Sequence, residues 1–266
     1  MSTVTKFSFA LALAALYGMA LAQTGVGVSP PRTIFDAQPG EVITRSIQVD
    51  HPGNRGILAV TVGFNDFLLD PKGNAVYLPP ASHPRSLLPW ISVNPLEFRL
   101  NPKASQEVRY TLTIPEDAEP GSYWGIVFFD SEPANAAENT AGVGVRFRVR
   151  VGHVIYVNIP PLKRSGAIVG MRYQPPKGDN PAEIRVSFEN DGNAALRLSG
   201  RVEVRTETGV LVQTARLSDA PSLPGSTHEV GAVLKKPLEP GRYVTLAVFD
   251  YGQSDLVAGE GSIEVR

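Results

Sequence analysis

An all-β fold of two tandem sandwiches is predicted by three observations. The first is a repeat: Glu119-Pro120-Gly121-Ser122-Tyr123-Trp124-Gly125-Ile126-Val127-Phe128-Phe129-Asp130 returns as Glu239-Pro240-Gly241-Arg242-Tyr243-Val244-Thr245-Leu246-Ala247-Val248-Phe249-Asp250, with Glu, Pro, Gly, Tyr, Phe and Asp at the same relative positions. A Pro-Gly turn reverses the chain, and the Tyr two residues after the Gly opens an apolar run short enough for one buried strand. The strand at the corner of an immunoglobulin-like sandwich begins in this way, its Tyr hydroxyl turned back to the main chain and its ring packed inside. The second observation is that almost every other segment alternates like a strand and is bounded by Gly, Pro or Asn. The third is the lack of a helical period. The Ala-rich piece Glu132–Gly142 carries Pro133, Asn135, Asn139 and a terminal Gly, and reads as a loop.

Taken in order, the chain opens with Lys6, a largely apolar run from Phe7 to Leu16, and Ala20-Leu21-Ala22 before Gln23. Those features predict a secretory signal peptide over residues 1–22, too short for a membrane span of about 20 apolar residues. The mature protein is expected to be periplasmic, or secreted to the cell surface, with no later span. Glu41–Val49 alternates strictly, Ile57–Phe64 follows a Pro52-Gly53-Asn54 turn, and Asn74–Leu78 follows Lys72-Gly73. Trp90–Val93, Leu96–Leu100, Val108–Ile114, Tyr123–Phe129 and Val143–Val157 complete the first series, which assigns residues 23–159 to an N-terminal immunoglobulin-like domain. Pro160 and Pro161 stiffen a linker over 160–165. A C-terminal domain over 166–266 then holds strands Ala167–Tyr173, Glu183–Glu189, Leu196–Thr206, Val210–Leu217, Thr227–Leu234, Tyr243–Tyr251 and Leu256–Val265. Seven strands in about 100 residues match the smaller immunoglobulin-like topology.

Composition narrows the function. The net charge is −1, and loss of Lys6 makes it one unit more negative, so electrostatics provide no drive toward nucleic acid or an anionic membrane. There is no cysteine, so an exported chain must hold its fold by burial and strand pairing alone. The 4 histidines, His51, His83, His153 and His228, lie in separate strands or loops without ligand spacing. Ser226 lies in Pro224-Gly225-Ser226-Thr227-His228, which lacks the second glycine and the strand-to-helix elbow of a nucleophile, so it reads as a turn. Gly25-Val26-Gly27 and Gly142-Val143-Gly144 have no following helix to hold a phosphate. Asp66, Asp70 and Asn74 around Gly73 loosely resemble a calcium loop without its closing carboxylate. No enzyme activity, cofactor or metal is expected.

Two constellations point to protein binding. In Val143–Val157 the odd positions are apolar apart from His153, whereas the even positions include Arg146, Arg148 and Arg150, followed by Val154 and Tyr156. Alternation puts these on opposite faces, an apolar face and a cationic stripe. As an edge, this strand would receive a partner's strand or carboxylate, because Arg forks bind carboxylates bidentately. The long polar loop Ser131–Ala141 precedes it. At the mature N-terminus, Pro30 and Pro31 in Val28-Ser29-Pro30-Pro31-Arg32-Thr33-Ile34-Phe35-Asp36 indicate an edge strand or a switch between sheets, with Arg32 projecting near the end of the first domain.

The run from Val28-Ser29 through Arg32-Thr33 to Phe35-Asp36, followed by an alternating strand, resembles the first strand of periplasmic pilus chaperones. Two immunoglobulin-like domains, a long loop after the corner strand and a long last strand leading into the linker are similar to that family as well. The resemblance implies an exported, non-enzymatic protein that assists assembly of surface structures by strand addition at an edge of domain one, with secreted or surface subunits, pilin-like ones among them, as partners. It also implies that Arg32 anchors a subunit's C-terminal carboxylate, with Arg150 or His153 as the second anchor. The family carries a lysine and alternating apolar residues on this last strand, where this chain has arginines on one face. Trp90-Ile91-Ser92-Val93-Asn94-Pro95, with Pro115-Glu116-Asp117-Ala118-Glu119-Pro120-Gly121-Ser122-Tyr123, also resembles cell-surface proteins that interact with WxL proteins. That likeness implies the alternative of a structural or adhesive module binding cell wall or another envelope protein.

Overall fold

A computed structural model describes residues 25–134, 147–252 and 256–266. The signal peptide expected over 1–22, the arginine at 146 and most of the loop expected after Ser131 lie outside the described residues. The strands are β1 (Gly27–Ser29), β2 (Arg32–Asp36), β3 (Val42–Asp50), β4 (Leu58–Leu69), β5 (Ala75–Leu78), β6 (Ile91–Asn94), β7 (Glu97–Leu100), β8 (Ser105–Thr113), β9 (Gly121–Pro133) and β10 (Val149–Ile159). After the link come β11 (Ala167–Gln174), β12 (Glu183–Glu189), β13 (Leu196–Thr206), β14 (Leu211–Ser222), β15 (Thr227–Val233), β16 (Gly241–Asp250) and β17 (Val257–Val265). The helical element among the described residues is a single 3-10 turn, Leu88–Trp90. No helix among them is long and apolar enough to cross a membrane.

Two sandwiches result. In the first, a four-stranded sheet in the order β1-β3-β8-β6 faces a six-stranded sheet in the order β2-β10-β9-β4-β5, with β7 also on β4. Between them lies a core that includes Ile47, Val60, Tyr110, Leu112, Val127 and Phe129. In the second, one continuous seven-stranded path folds over on itself. The layers β11-β12-β15 and β14-β13-β16-β17 are joined at a single pair, Leu217 with Ala232. Its core centres on Phe188 and Phe249, packed edge to face with centroids 5.2 Å apart. Each such buried side chain contributes roughly 1.5–3 kcal/mol, which replaces the disulfides this chain lacks.

Both expected tyrosine corners are present. Tyr123 Oη donates to Glu119 O at 3.1 Å and Tyr243 Oη to Glu239 O at 2.9 Å. Tyr123→Phe and Tyr243→Phe should each cost about 1 kcal/mol of stability. The buried Tyr123 should show the larger loss in urea unfolding, and equal midpoints for wild type and both variants would argue against the corners.

Several strands depart from the pattern in the sequence. β4 continues to Leu69, because its second half gains a new partner, β5. β9 begins at Gly121 and runs to Pro133, so Ser131–Pro133 is strand where a loop was expected. Among the described residues the last strand of the first sandwich starts at Val149; the expected start at Val143 lies outside them. It is also not a simple edge, because β2 pairs with it in parallel from Arg32 opposite Val154 to Asp36 opposite Asn158. Among the described residues its edge without a partner strand is confined to Val149–His153. The proline pair does mark a sheet switch: β1 ends the four-stranded sheet and β2 ends the six-stranded one.

Candidate functional site

The alternation of β9 builds the site. Tyr123, Val127 and Phe129 enter the sandwich core, whereas Trp124, Ile126 and Phe128 face the other way. These three form a second apolar cluster with Phe67 of β4, Tyr156 of β10 and Leu223 of the second sandwich. β9 is therefore buried on both faces, which explains why its apolar run has no polar alternation. Trp124 is fixed at this position. Its Nε1 donates to Phe67 O at 2.7 Å, its ring lies 5.0 Å from that of His83, and its backbone pairs with Arg85 and Leu87. The His83 segment is itself held by Asp66, a buried carboxylate that accepts hydrogen bonds from Ser82 N, His83 N and Ser86 Oγ. Asp70 instead accepts from Lys72 N, Asn74 N and Asn74 Nδ2. The two carboxylates of the loose calcium pattern are thus engaged by separate donor sets. Ser226 Oγ donates to Leu223 O in its turn.

The two sandwiches meet at the start of β9. Ser122 N donates to Asn193 O at 2.8 Å, Ala195 N donates to Ser122 Oγ at 2.8 Å, and that hydroxyl donates to Asn158 Oδ1 at 2.6 Å. Glu229 N adds a bond to Pro71 O at 2.8 Å. Gly121 has φ +136°, and a Cβ there would come within 2.9 Å of Asn193 O, so the junction requires glycine.

Beyond this junction the sheet face and the second sandwich enclose a cleft of about 390 Å³. Its first wall carries Arg32, Ile34, Phe67, Leu69, Val154 and Tyr156. Its second carries Ala195, Arg197, Asp219, Ala220, Pro221 and Leu223. Parallel pairing sets Arg32 beside Val154 and Ile34 beside Tyr156, on the face of β10 that opens into the cleft. Arg32 is exposed, and no hydrogen bond or ion pair reaches its guanidinium from the described residues. Its positive charge opposes the effect of burial, which raises the Tyr156 hydroxyl above the usual phenol range. The other charged side chains in the cleft are paired: Asp219 is held by Arg197 and Arg216, both at 3.2 Å, and these bonds keep its carboxyl below the usual range.

The remaining sequence candidates lie elsewhere. Arg150 pairs bidentately with Asp130 at 2.7 Å and lies 5.0 Å over the Phe128 ring. Arg148 pairs with Glu132 at 3.2 Å. The cationic stripe is therefore matched by an acidic one on β9, because antiparallel register puts Asp130 opposite Arg150. Arg146 is outside the described residues. His153 is fully buried and faces the core, not a partner. Its Nδ1–H donates to Pro30 O at 2.6 Å, and Nε2 is 3.3 Å from Thr33 Oγ1, so it pins the sheet switch to β10. Arg32, Arg150 and His153 do not converge. Tyr156, Phe67 and Leu223 carry no local signal of a site, although Tyr156 does share the even face of its strand.

Burial holds the His153 and His228 imidazoles below their ordinary value of 6.5. His228 is buried, and neither ring nitrogen has a hydrogen-bond partner among the described residues. Below about pH 6.5 the unfolded chain binds protons that the folded one refuses, so stability is fully present above that value and falls as pH drops. The expected melting temperature is flat above pH 6.5 and declines below it. His228→Leu should reduce the decline, and an unchanged slope would refute a contribution from His228.

No family model matches the chain. No curated protein matches it either. Among solved structures it is similar to the class 5 fimbriae chaperone CfaA, at 11% identity and a TM-score of 0.49, covering 91% of this chain and 100% of that one. It is similar to the CupB2 chaperone of Pseudomonas aeruginosa at 13% identity and 0.46, covering 89% and 99%. A chain of the Salmonella enterica complex between the SafA pilin and the SafB chaperone is similar at 16% identity and 0.46, covering 90% and 98%.

Proposed function

We propose that this chain is an exported, non-enzymatic chaperone of surface-structure assembly, which binds a pilin-like subunit by strand addition along β10 and holds the subunit's C-terminal carboxylate in the interdomain cleft. The observation that carries this reading is Arg32, a cation without a partner at the mouth of a mostly apolar cleft. One guanidinium and one hydroxyl, that of Tyr156, match a single carboxylate, since both donate and neither is already engaged. Arg32 and Tyr156 replace the anchor pair of Arg32 with Arg150 or His153 that the resemblance implies.

Strand addition is supported by the first half of β10. Val149–His153 pairs with β9 on one side and with no described strand on the other. On the odd face Phe147 is 62% exposed and Val149 and Val151 are half-buried, so apolar side chains emerge from the core at the free edge. A subunit strand laid there would gain main-chain hydrogen bonds and apolar contacts together, ending at Arg32.

The test is recovery of periplasmic partners by the wild type and by Arg32→Ala from the same cells. The wild type should bring down subunits from the periplasm and be absent from finished filaments. Equal recovery by both proteins, or retention of the chain in washed filaments, would remove the reading.

A further inference from the structure

The cleft holds more than a carboxylate needs, and its extra volume has a defined chemistry. Its floor and walls are Phe67, Leu69 and Val154 from the first sandwich and Ala220, Pro221 and Leu223 from the second. Apart from Arg32 and Tyr156, which the terminal carboxylate takes, the polar side chains between them are already committed. Asn158 bonds Ser122 and Asp36, and Asp219 bonds Arg197 and Arg216. A polar side chain entering this space would give up water and find no partner. A very small one would leave the cleft, about 390 Å³ and so within the range of small-molecule sites, largely unfilled.

We propose that the cleft is a side-chain subsite that selects partners whose C-terminal residue is large and apolar, seated between Phe67 and Leu69 on one wall and Pro221 and Leu223 on the other. This deepens the carboxylate reading and rests on it. Arg32 fixes the end of the incoming chain at the mouth, and the last side chain is then the only one that reaches the interdomain wall. Selection uses both sandwiches at once, so it also depends on the angle that Ser122 and Asn193 hold between them. A subunit presenting a small or charged last residue would keep the ion pair and lose the packing.

The experiment titrates the full mature chain with short peptides of one alternating Thr-Val sequence that differ in the last residue: Phe, Leu, Gly, Ser or Asp. A further Phe-ending peptide carries a C-terminal amide. Phe and Leu should bind roughly 10- to 100-fold more tightly than Gly, Ser and Asp, and the amide should lose most of the Phe affinity. Leu69→Asn changes a half-buried position on the cleft wall; it should narrow the Phe-to-Gly ratio to within a few-fold while the Gly peptide binds as before. Equal affinities for all free carboxylates, with the amide still weak, would overturn the subsite and leave the carboxylate reading intact. An amide that binds as tightly as the acid would overturn the carboxylate reading itself, and no binding by any peptide would overturn both. A Phe preference undiminished in Leu69→Asn would move the subsite off this wall.

Discussion

Arg32→Ala lowers the affinity for a carboxylate-terminated peptide by roughly 10- to 150-fold, the equivalent of losing a hydrogen-bonded charge worth about 1.5–3 kcal/mol. The fold should be indifferent to the change. Arg32 is an exposed position on a short strand, its side chain has no partner to leave behind, and such substitutions stay within about 0.5 kcal/mol. Arg32→Lys keeps the charge and loses the planar fork, so it should fall between the two. Because the mouth of the cleft is open, added salt should weaken the wild type more than Arg32→Ala. The control is Arg150→Ala. Its guanidinium is already spent on Asp130, so binding should stay at the wild-type level, and stability should change by no more than the ~0–1 kcal/mol of an exposed pair. Titration of the four proteins decides the matter: loss in Arg150→Ala with none in Arg32→Ala would put the anchor in the stripe.

Trp124→Ala should be the most destabilising single change, at about 3–5 kcal/mol for truncation of a fully buried aromatic. Trp124 is 1% exposed, and its removal empties the centre of the cluster shared by Phe67, Tyr156 and Leu223. It also strands the Phe67 carbonyl that its indole N–H satisfies, and removes the surface on which the His83 segment lies. Trp124→Phe keeps the packing and loses the hydrogen bond, so it should cost about 1–3 kcal/mol. Urea unfolding measures both. A loss under about 1.5 kcal/mol for Trp124→Ala would mean that the face of β9 turned to the second sandwich is not a true core. Peptide binding at temperatures where Trp124→Ala remains folded should still weaken, since one wall of the cleft rests on that side chain.

Much of the fold was legible because its signals are local. Pro-Gly before Tyr123 and Tyr243 dictates a turn and then a strand whatever the rest of the chain does, and both hydroxyls bond where such corners require. Alternation in Val149–Val157 correctly separates a core face from an outward face, and Pro30-Pro31 correctly interrupts the N-terminal strand. Of the site proposed above, only Arg32 was legible. Arg150 was as good a candidate by composition, and its neutralisation depends on Asp130, which lies 20 residues earlier and opposes it only through the register of two paired strands. His153 reads as polar in the sequence, yet the arm from Pro30 to Thr33 folds over it and satisfies both nitrogens.

The run Tyr123–Phe129 shows where the division falls. By itself the sequence determined that this segment is a strand, that it is buried and that a tyrosine corner starts it, because turn chemistry and hydrophobicity act within a few residues. Only the tertiary structure decided that Tyr123, Val127 and Phe129 serve a sandwich core, whereas Trp124, Ile126 and Phe128 serve a second cluster with Phe67, Tyr156 and Leu223. Both faces are apolar, so no polar alternation distinguishes them. What separates them is the partner each one meets: the four-stranded sheet on one side, and Leu223 from beyond the linker on the other. The parallel pairing that sets Arg32 beside Val154 and Ile34 beside Tyr156 is of the same kind, a contact between distant segments that no local pattern encodes.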